Sequence, residues 1–206
     1  MGRWKALAAV TVLAALAVPA GTLYLLTGLK PRPPKRPDPN LRVEGRAFVY
    51  RNAQLELQVE PLDPAGRADF FSRRGFEDPF AGFPPEDNYV AFRVRFENLS
   101  KDEPLTFSPV STLFGNSAAL DEVRLYQTFY REKEGEKKLA AVGKTLFVKT
   151  LSLPPGTFIE RLLVYQYDDP YPVRTIPLVF GSILVGRESL DLELPFEATF
   201  HKEKRR

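Results

Sequence analysis

The sequence predicts an all-β fold, an antiparallel β-sandwich preceded by a single N-terminal transmembrane helix. Three observations carry that expectation: a period of two in the apolar residues of 41–200, turn signals recurring between the alternating stretches, and an uncharged run over residues 6–29. Alternating apolar side chains suit a pleated strand with one face buried and the other wet. An uncharged run of about 20 residues suits a helix that crosses a bilayer.

Residues 1–29 open with Arg3, Trp4 and Lys5, continue as an Ala/Leu/Val run, and carry Tyr24 near the far end. As a helix, residues 6–29 rise about 36 Å, enough for a hydrocarbon core of about 30 Å with some tilt. Trp4 and Tyr24 then lie near the two interfaces, where amphipathic aromatics gather. The competing reading is a cleaved signal peptide, since Val18-Pro19-Ala20 has small residues where a signal peptidase requires them. Leu23, Tyr24, Leu25 and Leu26 prolong the apolar run beyond that point and favour an uncleaved anchor. A buried helix of a soluble domain is the third reading. The lipid bilayer is therefore an expected partner, through residues 6–29.

Residues 30–40, KPRPPKRPDPN, hold five prolines in eleven residues and read as an extended spacer. At about 3.1 Å per residue such a stalk reaches roughly 30 Å. Its cations, and those of the basic tail 201–206, would attract anionic lipid headgroups. A Pro-rich ligand for an SH3-type domain is the alternative for the stalk. Lys30, Arg32, Lys35 and Arg36 count against an extracytoplasmic domain by the positive-inside rule. An N-terminal signal-anchor with a proline-punctuated flank counts for one. The expected place is the cell membrane, single-pass, with the domain on the extracytoplasmic side and the cytoplasmic side as the alternative.

The body, 41–200, is expected to form a β-sandwich of eight to ten short strands. Over 88–98 the sequence NYVAFRVRFEN puts Val90, Phe92, Val94 and Phe96 on one face and Ala91, Arg93, Arg95 and Glu97 on the other. The same alternation runs through Leu55, Leu57 and Val59, through Val123, Leu125, Gln127 and Phe129, and through Leu190, Leu192 and Leu194. Further β-rich stretches are 43–50, 105–107, 146–151, 158–167 and 176–185. Turn signals at 98–104, 133–137 and 154–156 separate them. Helix is expected only as a turn or two near 117–122 and 139–142. No internal repeat is present, and the lack of alternating strands and long amphipathic helices argues against a βαβ scaffold. A β-barrel is the structural alternative.

The run YVAFRVRFENLSKDEPLTFSP, then LSLPPGTFIERLLVYQ, then LDLELPFEATF resembles bacterial extracytoplasmic immunoglobulin-like domains of unknown function that sit behind signal or anchor segments. The resemblance implies an immunoglobulin-like sandwich and an extracytoplasmic address, and no activity. The long insertion between Pro61 and Asp87 departs from the pattern.

Chemistry is scarce. The chain has no Cys, which excludes disulfides, thiolate metal sites, a cysteine nucleophile and a lipidated cysteine. His201 is the one histidine and lies in the basic tail, so histidine-based catalytic and metal sites have no material. No phosphate-binding glycine loop or nucleophile elbow is present. The acidic pairs Asp168-Asp169, Asp121-Glu122 and Glu86-Asp87 lie in turn-like sequence, where neighbouring carboxylates point apart. Asp63, Asp69, Glu77, Asp78, Glu86 and Asp87 match no calcium-loop spacing. The protein is not expected to be an enzyme, and no cofactor is expected. Residues 1–40 and 201–206 carry a formal +8 against a total of +3, so 41–200 is near −5. A mildly acidic body with basic ends is no footprint for nucleic acid. One Met, four Gln and five Asn against 19 Pro point to a thermophilic source.

The candidate partner-binding residues are in the long loop 62–88: Phe70, Phe71, Arg73, Arg74, Phe76, Phe80 and Phe83. Aromatics and Arg are what interfaces use for energy. The competing reading folds the rings back as a satellite core capping the sandwich. Tyr167 and Tyr171, flanking Asp168-Asp169-Pro170, form a second candidate surface, with the sandwich face as their alternative. The leading functional expectation is a membrane-anchored extracytoplasmic binding or scaffolding module, an accessory subunit of an envelope complex with a protein partner there. The alternative is a carrier or sensor of a small or lipidic ligand, which requires an empty apolar cavity inside the sandwich. A cell-envelope hydrolase comes last.

Overall fold

The computed structural model describes residues 22–168 and 172–204. Within them, two antiparallel sheets pack face to face. The larger has β1 (Thr22–Pro31), β12 (Glu188–Lys204), β11 (Thr175–Val185), β6 (Leu105–Phe107) and β9 (Leu151–Leu153) in that order, with β7 (Thr112–Phe114) on β11 and β8 (Ser117–Ala118) on β7. The smaller runs β10 (Phe158–Gln166), β5 (Tyr89–Asn98), β4 (Leu55–Leu62), β3 (Ala47–Arg51), β2 (Leu41–Glu44).

Period-two alternation sends one set of side chains from each sheet into the space between them. Phe48, Leu57, Val59, Phe92, Val94 and Phe96 of the smaller sheet meet Phe107, Phe114, Leu178, Phe180, Leu194 and Phe196 of the larger in one buried cluster. Their rings touch across the gap: Phe92 lies 5.2 Å from Phe114 and 5.1 Å from Phe196, and Phe96 lies 4.6 Å from Phe107, all centroid to centroid. Each such ring costs about 3–5 kcal/mol to truncate to alanine. The buried Tyr165 donates to Thr112 Oγ1 at 2.7 Å, and Thr112 donates to the Pro109 carbonyl at 2.7 Å. Burial pushes the Tyr165 hydroxyl far above its ordinary range, so it stays a donor.

The outer face of the smaller sheet is divided. Register puts Leu62 opposite Ala91 and Ala91 opposite Val164, an apolar row at one end. It puts Glu60 opposite Arg93 and Gln58 opposite Arg95, a charged field at the other. Three helices, α1 (Pro64–Ser72), α2 (Glu122–Phe129) and α3 (Gly135–Thr145), cover the apolar row, and Phe70, Phe71, Phe80, Leu125, Phe129, Val142, Leu146 and Leu162 form a second buried cluster there.

Several expectations need correction. Thr22–Leu29, taken as the end of a membrane helix, lie in β1, which pairs with β12 from Thr22↔Lys204 to Pro31↔Phe196, and Leu26 and Leu29 pack on the main core. An apolar stretch satisfies a half-buried strand as well as a span, and β12 supplies the pairing. Residues 6–21 lie outside the described residues. Among the described residues no helix is long and apolar enough to cross a membrane. Residues 32–40 join β1 of one sheet to β2 of the other instead of standing free: Arg32 donates its backbone N–H to Pro195 O at 2.9 Å and its guanidinium to Thr175 Oγ1 at 2.9 Å. His201, placed on a tail, is exposed on β12 opposite Leu25. Val123–Phe129, expected as strand, fall in α2. Leu125 and Phe129 are four apart, a spacing that a helix face shares with a strand face, while Val123 is exposed. Asp121 caps this helix by accepting from Arg124 N–H at 2.8 Å. The β-rich reading of 146–151 shrinks to a lone bridge from Leu146 to Leu162 before β9 begins.

Candidate binding groove

The long segment 62–88 is ordered by a helix and a buried ion pair. Asp63 caps α1, its carboxylate accepting from Gly66 N–H at 2.8 Å, and Pro64 opens the first turn. That hydrogen bond, with Arg46 beside it, lowers the Asp63 pKa below its ordinary value. One turn on, Arg67 turns inward and donates to Asp78 at 2.8 Å and to Tyr89 O at 3.4 Å. Only 9% of the Arg67 side chain and 4% of the Asp78 side chain is exposed. Asp78 also accepts from Phe80 N–H at 3.0 Å, and the guanidinium lies 5.4 Å over the Phe80 ring. The pair fixes the return of the chain and so sets the Phe rings on the sheet.

The predicted site residues separate accordingly. Phe70, Phe71 and Phe80 are buried. Phe76 and Phe83 are half-buried against the same cluster, with Lys144 5.6 Å above Phe76 and Lys138 5.3 Å above Phe83. The expected contact surface is corrected for Phe70, Phe71 and Phe80, which are buried because the apolar row on the sheet needs a cover. Phe76 and Phe83 pack on that core half-exposed, and Phe70 also lines the groove beside α1. Tyr167 is buried beside Phe114, 5.5 Å between centroids, and belongs to the sandwich interior. Tyr171 lies outside the described residues.

Arg73 and Arg74 do reach a groove. Between α1 and the charged half of the sheet lies a surface cavity of about 540 Å³, lined by Arg46, Glu60, Leu62, Asp63, Gly66, Asp69, Phe70, Arg73, Arg74, Arg93 and Glu160. Four arginines face four carboxylates in pairs. Arg74 donates to Glu160 at 2.7 Å and to Phe70 O at 3.1 Å, with its guanidinium 3.5 Å above the Phe70 ring, and Arg93 pairs with Glu60. These inner pairs are half-buried. The rim pairs are wet: Arg73 with Asp69 at 2.7 Å, side chains 70% and 54% exposed, and Arg46 with Asp63 at 3.5 Å, 59% and 49% exposed. An exposed pair contributes about 0–1 kcal/mol. The rim charges therefore exchange partners cheaply, while the inner pairs and the stacked Arg74 hold the floor in shape.

Sequence reasoning missed Arg46, Glu60, Arg93 and Glu160. Register is what brings them to α1, and the outward positions of β4 and β5 were legible as a charged face without a partner. A second missed feature is the outer side of α2, where Val123, Tyr126 and Tyr130 are exposed and the two tyrosine rings stack 5.1 Å apart. A third is a groove of about 550 Å³ next to the first, between β1 and the Leu62–Pro64 corner, with Arg46 and Asp63 on the shared rim. Among the described residues no cluster of three or more His, Cys, Asp or Glu side chains is arranged to hold a metal ion. No family model, curated protein or solved structure matches this chain.

Proposed function

We propose that this chain is an extracytoplasmic binding module, an immunoglobulin-like sandwich directed to the membrane by its apolar leader, which holds a protein partner of the cell envelope. The supporting observation is the groove beside α1. Its rim offers two cations and two anions that are already solvated and only weakly paired. A partner segment carrying both signs of charge replaces those pairs without leaving a buried charge unmatched. Arg74, half-buried on the Phe70 ring and paired with Glu160, supplies a braced floor that carries an Arg, a residue type on which binding energy concentrates. The role is accessory and non-enzymatic. A carrier of small or lipidic ligands would need an empty cavity within the sandwich, and the interior positions of both sheets are filled by packed rings.

The test is charge reversal at the rim. The double variant R46E/R73E is expected to melt within about 2–4 °C of the parent, the shift that corresponds to about 1 kcal/mol for a chain of this size. It is expected to lose at least about tenfold of the partner cross-linked to it in intact cells, as one lost 1.4 kcal/mol contact would give. R187E, at the exposed β11–β12 turn, serves as the control. Equal cross-linking by R46E/R73E and R187E would overturn the groove as the contact.

A further inference from the structure

We infer that the leader is removed by proteolysis between Ala20 and Gly21, so that the working protein begins just before β1 and carries no membrane helix of its own. The inference rests on the export proposed above. Its structural basis is the use made of Thr22–Pro31. These residues form antiparallel pairs with β12 along their length, and Leu26 and Leu29 pack against the main core. A segment cannot be a sheet edge and a bilayer helix at once, so the uncharged run left for a membrane is 6–21. As a helix, sixteen residues rise about 24 Å, short of the roughly 30 Å hydrocarbon core.

What remains has the proportions of a signal peptide. Arg3 and Lys5 give the positive start, residues 6–17 an apolar stretch of twelve, and Val18-Pro19-Ala20 the small residues before the cut. A signal peptide has an apolar region of about 7–15 residues before such a site. The apolar residues Leu23 to Leu26, which extend the run past Ala20 in the sequence, belong to β1. Leu26 packs against the main core and all four pair with β12, so the run past Ala20 has a use in the strand and no longer argues for an anchor. In the step itself a signal peptidase adds water across the Ala20–Gly21 amide. The C–N bond breaks, Ala20 leaves as a carboxylate and Gly21 takes the proton as the new amino terminus.

The experiment expresses the full chain in a bacterium with an intact export system. The product is fractionated, its intact mass and N-terminal sequence are read, and outer access is scored by protease added to whole cells with the outer barrier opened. The expected product starts at Gly21, lies outside the cytoplasmic membrane and is released without detergent. A20Y, whose bulky ring blocks the cut, is expected to keep residues 1–20 and stay with the membrane. An uncleaved parent chain in the membrane, digested from outside, would overturn the processing while leaving export standing. An uncleaved chain protected from outside would overturn the export reading as well. A product cut within 22–31 would overturn the inference, because it would destroy β1.

Discussion

Arg67 and Asp78 show how one pair of side chains arranges a whole segment. Both ions are withdrawn from water, and each makes a further bond to the backbone. Removing one partner leaves the other charge buried alone, so Arg67→Ala is expected to cost about 3–5 kcal/mol, read from the urea midpoint. Arg73→Ala, at the C-cap of the same helix but in a wet pair, is expected to cost under about 1 kcal/mol in the same titration. Asp63 adds a pH dependence. Its folded-state pKa is lowered, chiefly by the Gly66 N–H, so its contribution is present above the ordinary carboxylate pKa and lost as pH falls through the lowered value. Thermal melts from pH 6 down to pH 2 should show this loss, and Asp63→Asn, which keeps an acceptor but no titratable charge, should flatten that part of the curve. None of this was legible in the sequence. Arg67 and Asp78 stood among other arginines and acids, and their pairing depends on where the chain turns back.

At the scale of elements, legibility followed burial. The strands β4, β5 and β11 were readable because each has one face in the interior and a period of two to show for it, and β10 because it is a continuous apolar run buried on both faces over 162–165. The helix α2 looks like a strand in the sequence because Leu125 and Phe129 satisfy both periods, and what decides for helix is the cap, Asp121 with Glu122 in the first turn. Asp121→Ala is expected to destabilise by about 1 kcal/mol, seen as a loss of helical ellipticity and of Tm together. The Phe-rich segment was recognised as exceptional, but a run of rings looks alike whether it covers a sheet or meets a partner. The apolar row Leu62, Ala91 and Val164 decides for cover. Phe71→Ala is therefore expected to cost about 3–5 kcal/mol in a denaturant titration, a stability loss where an interface residue would show only weaker binding. The groove was half legible: Arg73 and Arg74 were singled out, while the strand residues opposite them needed the register.

For the molecule as a whole, the leader was the most conspicuous stretch of sequence and the one whose internal boundary was least visible. Nothing between Ala20 and Leu29 marks where the apolar run passes from the proposed leader to β1, because a signal and a half-buried strand ask for the same side chains. Truncation separates them. A chain starting at Thr22 is expected to be a folded monomer by size-exclusion and thermal melting. One starting at Arg32 would bare the β12 backbone over 196–204 and uncover Leu26 and Leu29 contacts, and is expected to aggregate or melt lower. The β1–β12 ribbon also governs timing. Thr22 pairs with Lys204, 182 residues downstream. At about 5–20 residues per second of synthesis, β1 waits roughly 10–40 s for its partner to exist. The first strand to leave the ribosome is thus among the last to be satisfied. Under the export proposed above, a larger sheet held open for that interval leaves the chain loose enough to pass a narrow pore before it locks.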